Sequence, residues 1–123
     1  MKPLSIALLL TACAATSSAD PTDIAGNWSL TEASGETITL EIKEDLEGLS
    51  GLAPCNRYFA MVMGKAPDFR PGPIGASKRA CPSLDAEQRY FAKLAAVTRA
   101  SRSGDILTLS GNSGPILTFT RAD

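Results

Sequence analysis

Pro82-Ser83-Leu84-Asp85-Ala86-Glu87-Gln88-Arg89-Tyr90-Phe91-Ala92-Lys93-Leu94-Ala95-Ala96-Val97 is the one convincing helical stretch of this chain. Ala86, Tyr90, Leu94 and Val97 fall on one face at helical spacing, with Phe91 and Ala95 beside them. Glu87, Arg89 and Lys93 are read as facing out. Ser83 or Asp85 supplies a cap, and Asp85 followed by Gln88 has capping-box spacing. Glu87 in the first turn suits the helix dipole, as do Lys93 and Arg99 toward the other end.

The segments on either side repeat with period two. Trp28 and Leu30 alternate with polar neighbours in Gly26–Glu32, which predicts a first strand. Ala33-Ser34-Gly35-Glu36 turns the chain. Ile38, Leu40 and Ile42 alternate with Thr37, Thr39 and Glu41, the cleanest strand signal. Residues 49–52 and 55–62 form a third strand, or two strands broken at Ala53-Pro54, because proline interrupts a ladder. The proline- and glycine-rich residues 64–75 hold at most an edge strand near Phe69. Two more strands, 106–110 and 116–121, close the chain. Strands, one helix, then strands predict a single α+β domain. The sheet is antiparallel and strongly twisted, open or partly closed into a barrel, and packs on one main α-helix. Trp28, Leu30, Ile38, Leu40, Tyr90, Leu94, Leu107, Leu109 and Phe119 are the predicted core.

The N-terminus carries an export pattern. Lys2 precedes the apolar run Ile6–Leu10, and small residues follow. That run is shorter than the roughly 20 residues a membrane span needs. Leu10-Thr11-Ala12-Cys13 has the right residue at every position of a bacterial lipobox, so residues 1–12 read as a signal and Cys13 as a lipid-bearing first residue. Ser17-Ser18-Ala19 before Asp20 offers a competing ordinary cleavage that removes residues 1–19. Residues 13–25 then tether a domain at 26–123. Ala14, rather than aspartate, resembles the pattern that sorts lipoproteins to the outer membrane. The expected location is the cell envelope, as an outer-membrane lipoprotein facing the periplasm; the alternative is a soluble periplasmic or secreted protein.

Export makes Cys55 and Cys81 a disulfide pair, whether Cys13 is acylated or cut away. Charge divides along the chain: residues 20–56 hold eight acidic groups and one basic, residues 57–123 ten basic and five acidic. Either the two halves face each other in one fold, or a basic face meets anionic envelope material. Nothing resembles a nucleic-acid module, so nucleic acid is not an expected partner.

Histidine is absent, which removes Ser-His and Cys-His catalysis and histidine-ligated metals. Met61 and Met63, two apart on a strand, are read as core packing; the alternative is a soft copper site. Cys55, Arg57, Phe59, Met61 and Met63 share parity, so Arg57 is either buried and paired or displaced by a bulge near Pro54. Glu44, Asp45 and Glu47 lack a calcium-loop pattern and read as a solvated turn. Neither cofactor nor metal is expected. Asn56 and Tyr58, on the other parity, and Lys78 and Arg79, beside Cys81, are the candidate binding residues.

Six pieces, in order, resemble the META domain, also called the HslJ-like domain. They are Gly26-Asn27-Trp28-Ser29-Leu30, Gly51–Tyr58 with Cys55-Asn56-Arg57-Tyr58, Ser77-Lys78-Arg79-Ala80-Cys81, the helix with Glu87, Tyr90-Phe91 and Leu94, Gly104–Leu109, and Ile116–Phe119. Pro54 stands where the family has glycine, and Ser77 and Arg79 replace threonine and methionine. The resemblance implies a bacterial envelope lipoprotein or secreted protein linked to heat shock and antibiotic tolerance, with no established enzymatic activity. The expectation is a non-enzymatic envelope protein that binds a partner protein, a lipid or a small molecule. The alternatives are a soluble secreted binding module and a thiol-dependent redox enzyme using Cys55.

Overall fold

The computed structural model of the protein describes Pro3, residues 20–32 and residues 35–122. Most of the stretch read as an export signal, Cys13, Ala33, Ser34 and Asp123 lie outside the described residues. Alternating sequence becomes alternating burial. Strand β1 (Gly26–Thr31) buries Trp28, and β2 (Thr37–Ile42) buries Ile38, Leu40 and Ile42. β3 (Gly48–Leu52) and β4 (Arg57–Met63) follow as two strands separated at residues 53–56. The proline-rich stretch supplies only the two-residue strands β5 (Arg70–Pro71) and β6 (Gly75–Ala76), with Phe69 buried just ahead of them.

Helix α1 (Leu84–Ala95) leads to β7 (Arg99–Ser103), β8 (Ile106–Gly111) and β9 (Gly114–Arg121). Arg99 therefore opens a strand and does not complement the helix end. β7 lacks the apolar alternation that marks the other strands, and Ala100 is its one fully buried residue. Ser83 occupies the helix cap position without a side-chain cap bond. Tyr90, Leu94 and Val97 point into the core as the spacing predicts, while Ala95 is exposed.

All strands join one antiparallel sheet in the order β5-β4-β3-β2-β1-β9-β8-β7, with β6 also paired to β4. The sheet is not closed by a strand ladder. Among the described residues, a single bridge, Asp68↔Arg99, spans its two ends. Two backbone bonds accompany it, Phe69 N–H to Thr98 O at 3.0 Å and Ala100 N–H to Pro67 O at 2.9 Å. The concave face and α1 enclose the core, and every predicted core residue is there, Leu30 at its margin.

The domain starts before Gly26. Ile24, read as tether, is fully buried, and Arg102 N–H bonds the Pro21 carbonyl at 2.9 Å. The Trp28 indole N–H donates to the Ile24 carbonyl at 3.0 Å, which ties the entering segment to β1. The Arg102 and Arg121 guanidinium groups lie 5.4 and 5.1 Å from the Trp28 ring centre, a cation–π arrangement. Basic residues of the late strands thus meet the acidic early segment here, where Arg102 also pairs with Asp23 at 3.8 Å.

Candidate functional site

The two cysteine segments meet at the first turn of α1. Cys55 and Cys81 form a disulfide with Cα atoms 5.9 Å apart. Cys55 is therefore not a free thiol here. Beside it, the Asn56 side chain uses all its hydrogen-bonding capacity. Its carbonyl oxygen accepts from Arg79 N–H at 2.6 Å and from the Ser77 hydroxyl at 3.2 Å. Its amide donates to the Arg79 carbonyl at 3.2 Å and to Glu87 Oε2 at 2.7 Å. Glu87 Oε1 accepts the backbone N–H groups of Cys55 and Asn56 at 3.1 and 2.7 Å.

Glu87 does not face solvent as first read. It is 2% exposed, and Asn56 is 3% exposed. A carboxylate goes inside only when its oxygens are satisfied, and here three donors converge on it. The helical spacing held the clue. Glu87 lies three residues before Tyr90 and seven before Leu94, on their face rather than opposite it.

Tyr58 is also internal. Its hydroxyl lies 2.7 Å from the Thr39 carbonyl and 2.7 Å from the Tyr90 hydroxyl. A carbonyl only accepts, so Tyr58 donates to Thr39 and Tyr90 donates to Tyr58. Burial pushes both phenols well above the ordinary tyrosine range, and for Tyr90 the neighbouring Tyr58 adds to that rise. Gly51, paired with Tyr58, has no room for a side chain, since a Cβ there would run into the Thr39 carbonyl and the Tyr58 ring. Asn56 and Tyr58 are thus held by the fold. Tyr58 is closed off from any ligand.

Lys78 and Arg79 are exposed. They border a cleft of about 460 Å³ between the Ile74–Ala80 segment and α1. Ile74, Leu84 and Phe91 give the cleft apolar walls, Gln88 adds a polar group, and Asn56 and Glu87 lie at its inner end. Phe91 is backed by the Tyr58 and Tyr90 rings, with centroids 5.6 and 5.9 Å away. The disulfide and the Asn56–Glu87 network fix the two walls relative to each other. This arrangement can hold a small apolar body and place a negative group against two cations.

The opposite parity of β4 reverses the reading made from sequence. Arg57, Phe59, Met61 and Met63 lie on the outer face, and Tyr58, Ala60 and Val62 are inside. No bulge is needed, because β4 pairs with β3 in unbroken register from Arg57 to Met61. Met61 and Met63 are 68% and 61% exposed rather than core. The inner volume beside α1 is filled by Tyr58 and its aromatic neighbours, and the charged Arg57 reaches water. Among the described residues, no group of three or more His, Cys, Asp or Glu side chains is placed to hold a metal ion.

The META domain family profile matches residues 22–123. The chain belongs to the META domain family. This META domain is also similar to the NMR structure of a protein from Burkholderia xenovorans, with a TM-score of 0.59 and 24% identity. That match covers 79% of this chain and 81% of the other, and it speaks to fold alone. Among curated proteins none matches. The META segment around Cys55, Asn56 and Tyr58 is, in this chain, the structural joint between the sheet and α1.

Proposed function

We propose that this META-domain protein is a non-enzymatic binding component of the bacterial cell envelope, contributing to envelope integrity and stress tolerance. Its ligand is a small amphipathic molecule with an anionic group, held in the cleft between residues 74–80 and α1. The carrying observation is the pairing of apolar walls from Ile74, Leu84 and Phe91 with the exposed cations Lys78 and Arg79. The reactive-looking groups nearby are already committed: Cys55 to a disulfide, Glu87 and Asn56 to each other and to backbone. The export pattern and the lipobox at Cys13 support an envelope location, with the domain tethered to a membrane.

The test is a titration of isotope-labelled protein with a short-chain alkyl phosphate, followed by amide shifts. Shifts clustered on residues 74–91, weakened about tenfold or more by Lys78→Ala with Arg79→Ala, support the reading. Shifts absent from that region at saturating probe overturn it. Mass spectrometry of the mature N-terminus tests the anchor separately: a start at Asp20 without lipid replaces the lipoprotein with a soluble one.

A further inference from the structure

The outer face of β4 carries an apolar stripe that neither the fold nor the cleft uses. Phe59, Met61 and Met63 project from alternate positions of one strand and are each more than half exposed. Leu52, opposite Arg57 on β3, extends the stripe. An exposed line of large apolar side chains of this kind needs a partner. β4 is not an edge strand; β3 lies on one side and β5 and β6 on the other. Its backbone is already paired, so the partner meets side chains only and does not add a strand.

This face carries three basic and two acidic groups, a net charge of +1 (3 − 2), and Lys43 and Arg57 make no ion pair among the described residues. Lys43 lies across Gly48, whose register partner is Met61. Arg57 opens the strand, and Arg70 stands opposite Met63. The acids on the same face are Asp68, ion-paired with Arg70 at 3.1 Å, and Glu41, two strands away from Phe59 through Ser50. A second copy stacked on this face would set like charges against each other. An anionic surface would be attracted to it.

The path of the chain supplies the orientation. Thr22 lines one cleft with Asp45, Glu47, Val62, Gly64 and Lys65, so the polypeptide enters the domain near the end of β4 that carries Met63, past two acidic side chains and one basic one. Asp20 lies seven positions after Cys13, a reach of at most about 25 Å when extended. A membrane holding Cys13 is therefore within reach of this face.

We propose that the outer face of β4 is a membrane-contact surface, with Phe59, Met61 and Met63 entering the headgroup–acyl boundary of an anionic bilayer and Lys43, Arg57 and Arg70 meeting its phosphates. The orientation argument rests on the lipid-anchor reading; the stripe and its charges do not. An apolar patch with basic neighbours binds the headgroup–acyl boundary in its own right, and beside a lipid anchor it would decide which face the domain turns to the bilayer.

The test separates the surface from the anchor. The chain from residue 14 onward, which lacks both the apolar run Ile6–Leu10 and Cys13, is floated with vesicles of phosphatidylethanolamine and phosphatidylglycerol. Binding is expected, weakened by salt and by replacing phosphatidylglycerol with phosphatidylcholine. Adding Met61→Ser with Met63→Ser is expected to lower it about tenfold. These side chains are outside the core, so an unchanged thermal melt accompanies the loss. Phe59→Ser is a second variant, read in the same way, since its ring also covers Gly75. Equal flotation of parent and variants overturns the proposal, as does equal binding to neutral vesicles. A lipid-free dimer seen by light scattering and abolished by the same changes assigns the face to self-association instead. Absence of an acyl group on native Cys13 removes the anchor reading and leaves the vesicle result standing.

Discussion

The Glu87 carboxylate grips Asn56 twice, accepting its backbone N–H through one oxygen and its side-chain amide through the other, each at 2.7 Å. One helical residue thereby fixes the loop between β3 and β4, and through Asn56 it also fixes the segment at Arg79 ahead of α1. Losing this carboxylate leaves buried donors with no acceptor. Glu87→Ala is expected to cost about 3 kcal/mol in a denaturant titration. Asn56→Asp sets two carboxylates against each other, and the loss should shrink when the pH falls toward the carboxylate range. Equal stability of that variant at pH 7 and at acid pH would show that the contact is not made.

The disulfide staples the same joint. Cys55 and Cys81 are 26 residues apart in sequence, so closing that loop stabilises the domain by about 3.5 kcal/mol in the chain-entropy view. Reduction, or Cys81→Ser, should lower unfolding stability by about 2–5 kcal/mol. Titration of the unfolded, unreduced protein with a thiol reagent checks the pairing itself: two reactive thiols at these positions would contradict it.

Tyr58 and Tyr90 set the alkaline limit. Their folded-state phenols ionise above the ordinary value near 10, because burial disfavours the phenolate. Their protonated forms favour the folded state, so this contribution is complete below pH 10. It declines as the pH rises above 10, where the unfolded chain ionises first. Stability should therefore be level in this respect from neutral pH to about 9 and fall above 10. Phenolate absorbance should appear together with unfolding rather than before it.

Leu94 is fully buried on α1. Leu94→Ala removes core volume that α1 cannot recover by moving, since its first turn is pinned at Glu87. The expected cost is about 2–5 kcal/mol. A much smaller value in thermal or urea unfolding would mean that the helix slides to fill the space.

Much of this was legible from residue pattern. β2 and α1 announce themselves because each presents one clean apolar period, and the predicted core follows from them. β4 misled because both of its faces are apolar. Phe59, Met61 and Met63 outweigh Tyr58, Ala60 and Val62 in size, yet the fit beside α1 and the charge on Arg57 decide the register. β7 was hidden because Arg99-Ala100-Ser101-Arg102-Ser103 has no apolar alternation; it is a strand through its neighbour β8 rather than through its own sequence. Glu87 was misread by residue type alone. Its position on the Tyr90–Leu94 face was the better guide, and only the partners that make its burial acceptable were beyond reach, being 31 and 32 residues away.

The pairing of β1 with β9 has a consequence for how the protein is made. Ser29 and Thr120, neighbours in the sheet, are 91 residues apart in the chain. A chain emerging from a ribosome, N-terminus first, leaves one side of β1 without its partner until β9 has been made. Until then the Trp28 ring lacks the Arg121 side chain, and Phe119 is missing from the core. The sheet is therefore completed only once β9 is available, late in the order in which the strands are made. Removing β9 would take Phe119 from the core and leave one side of β1 unpaired, so loss of that one strand is expected to unfold the whole domain.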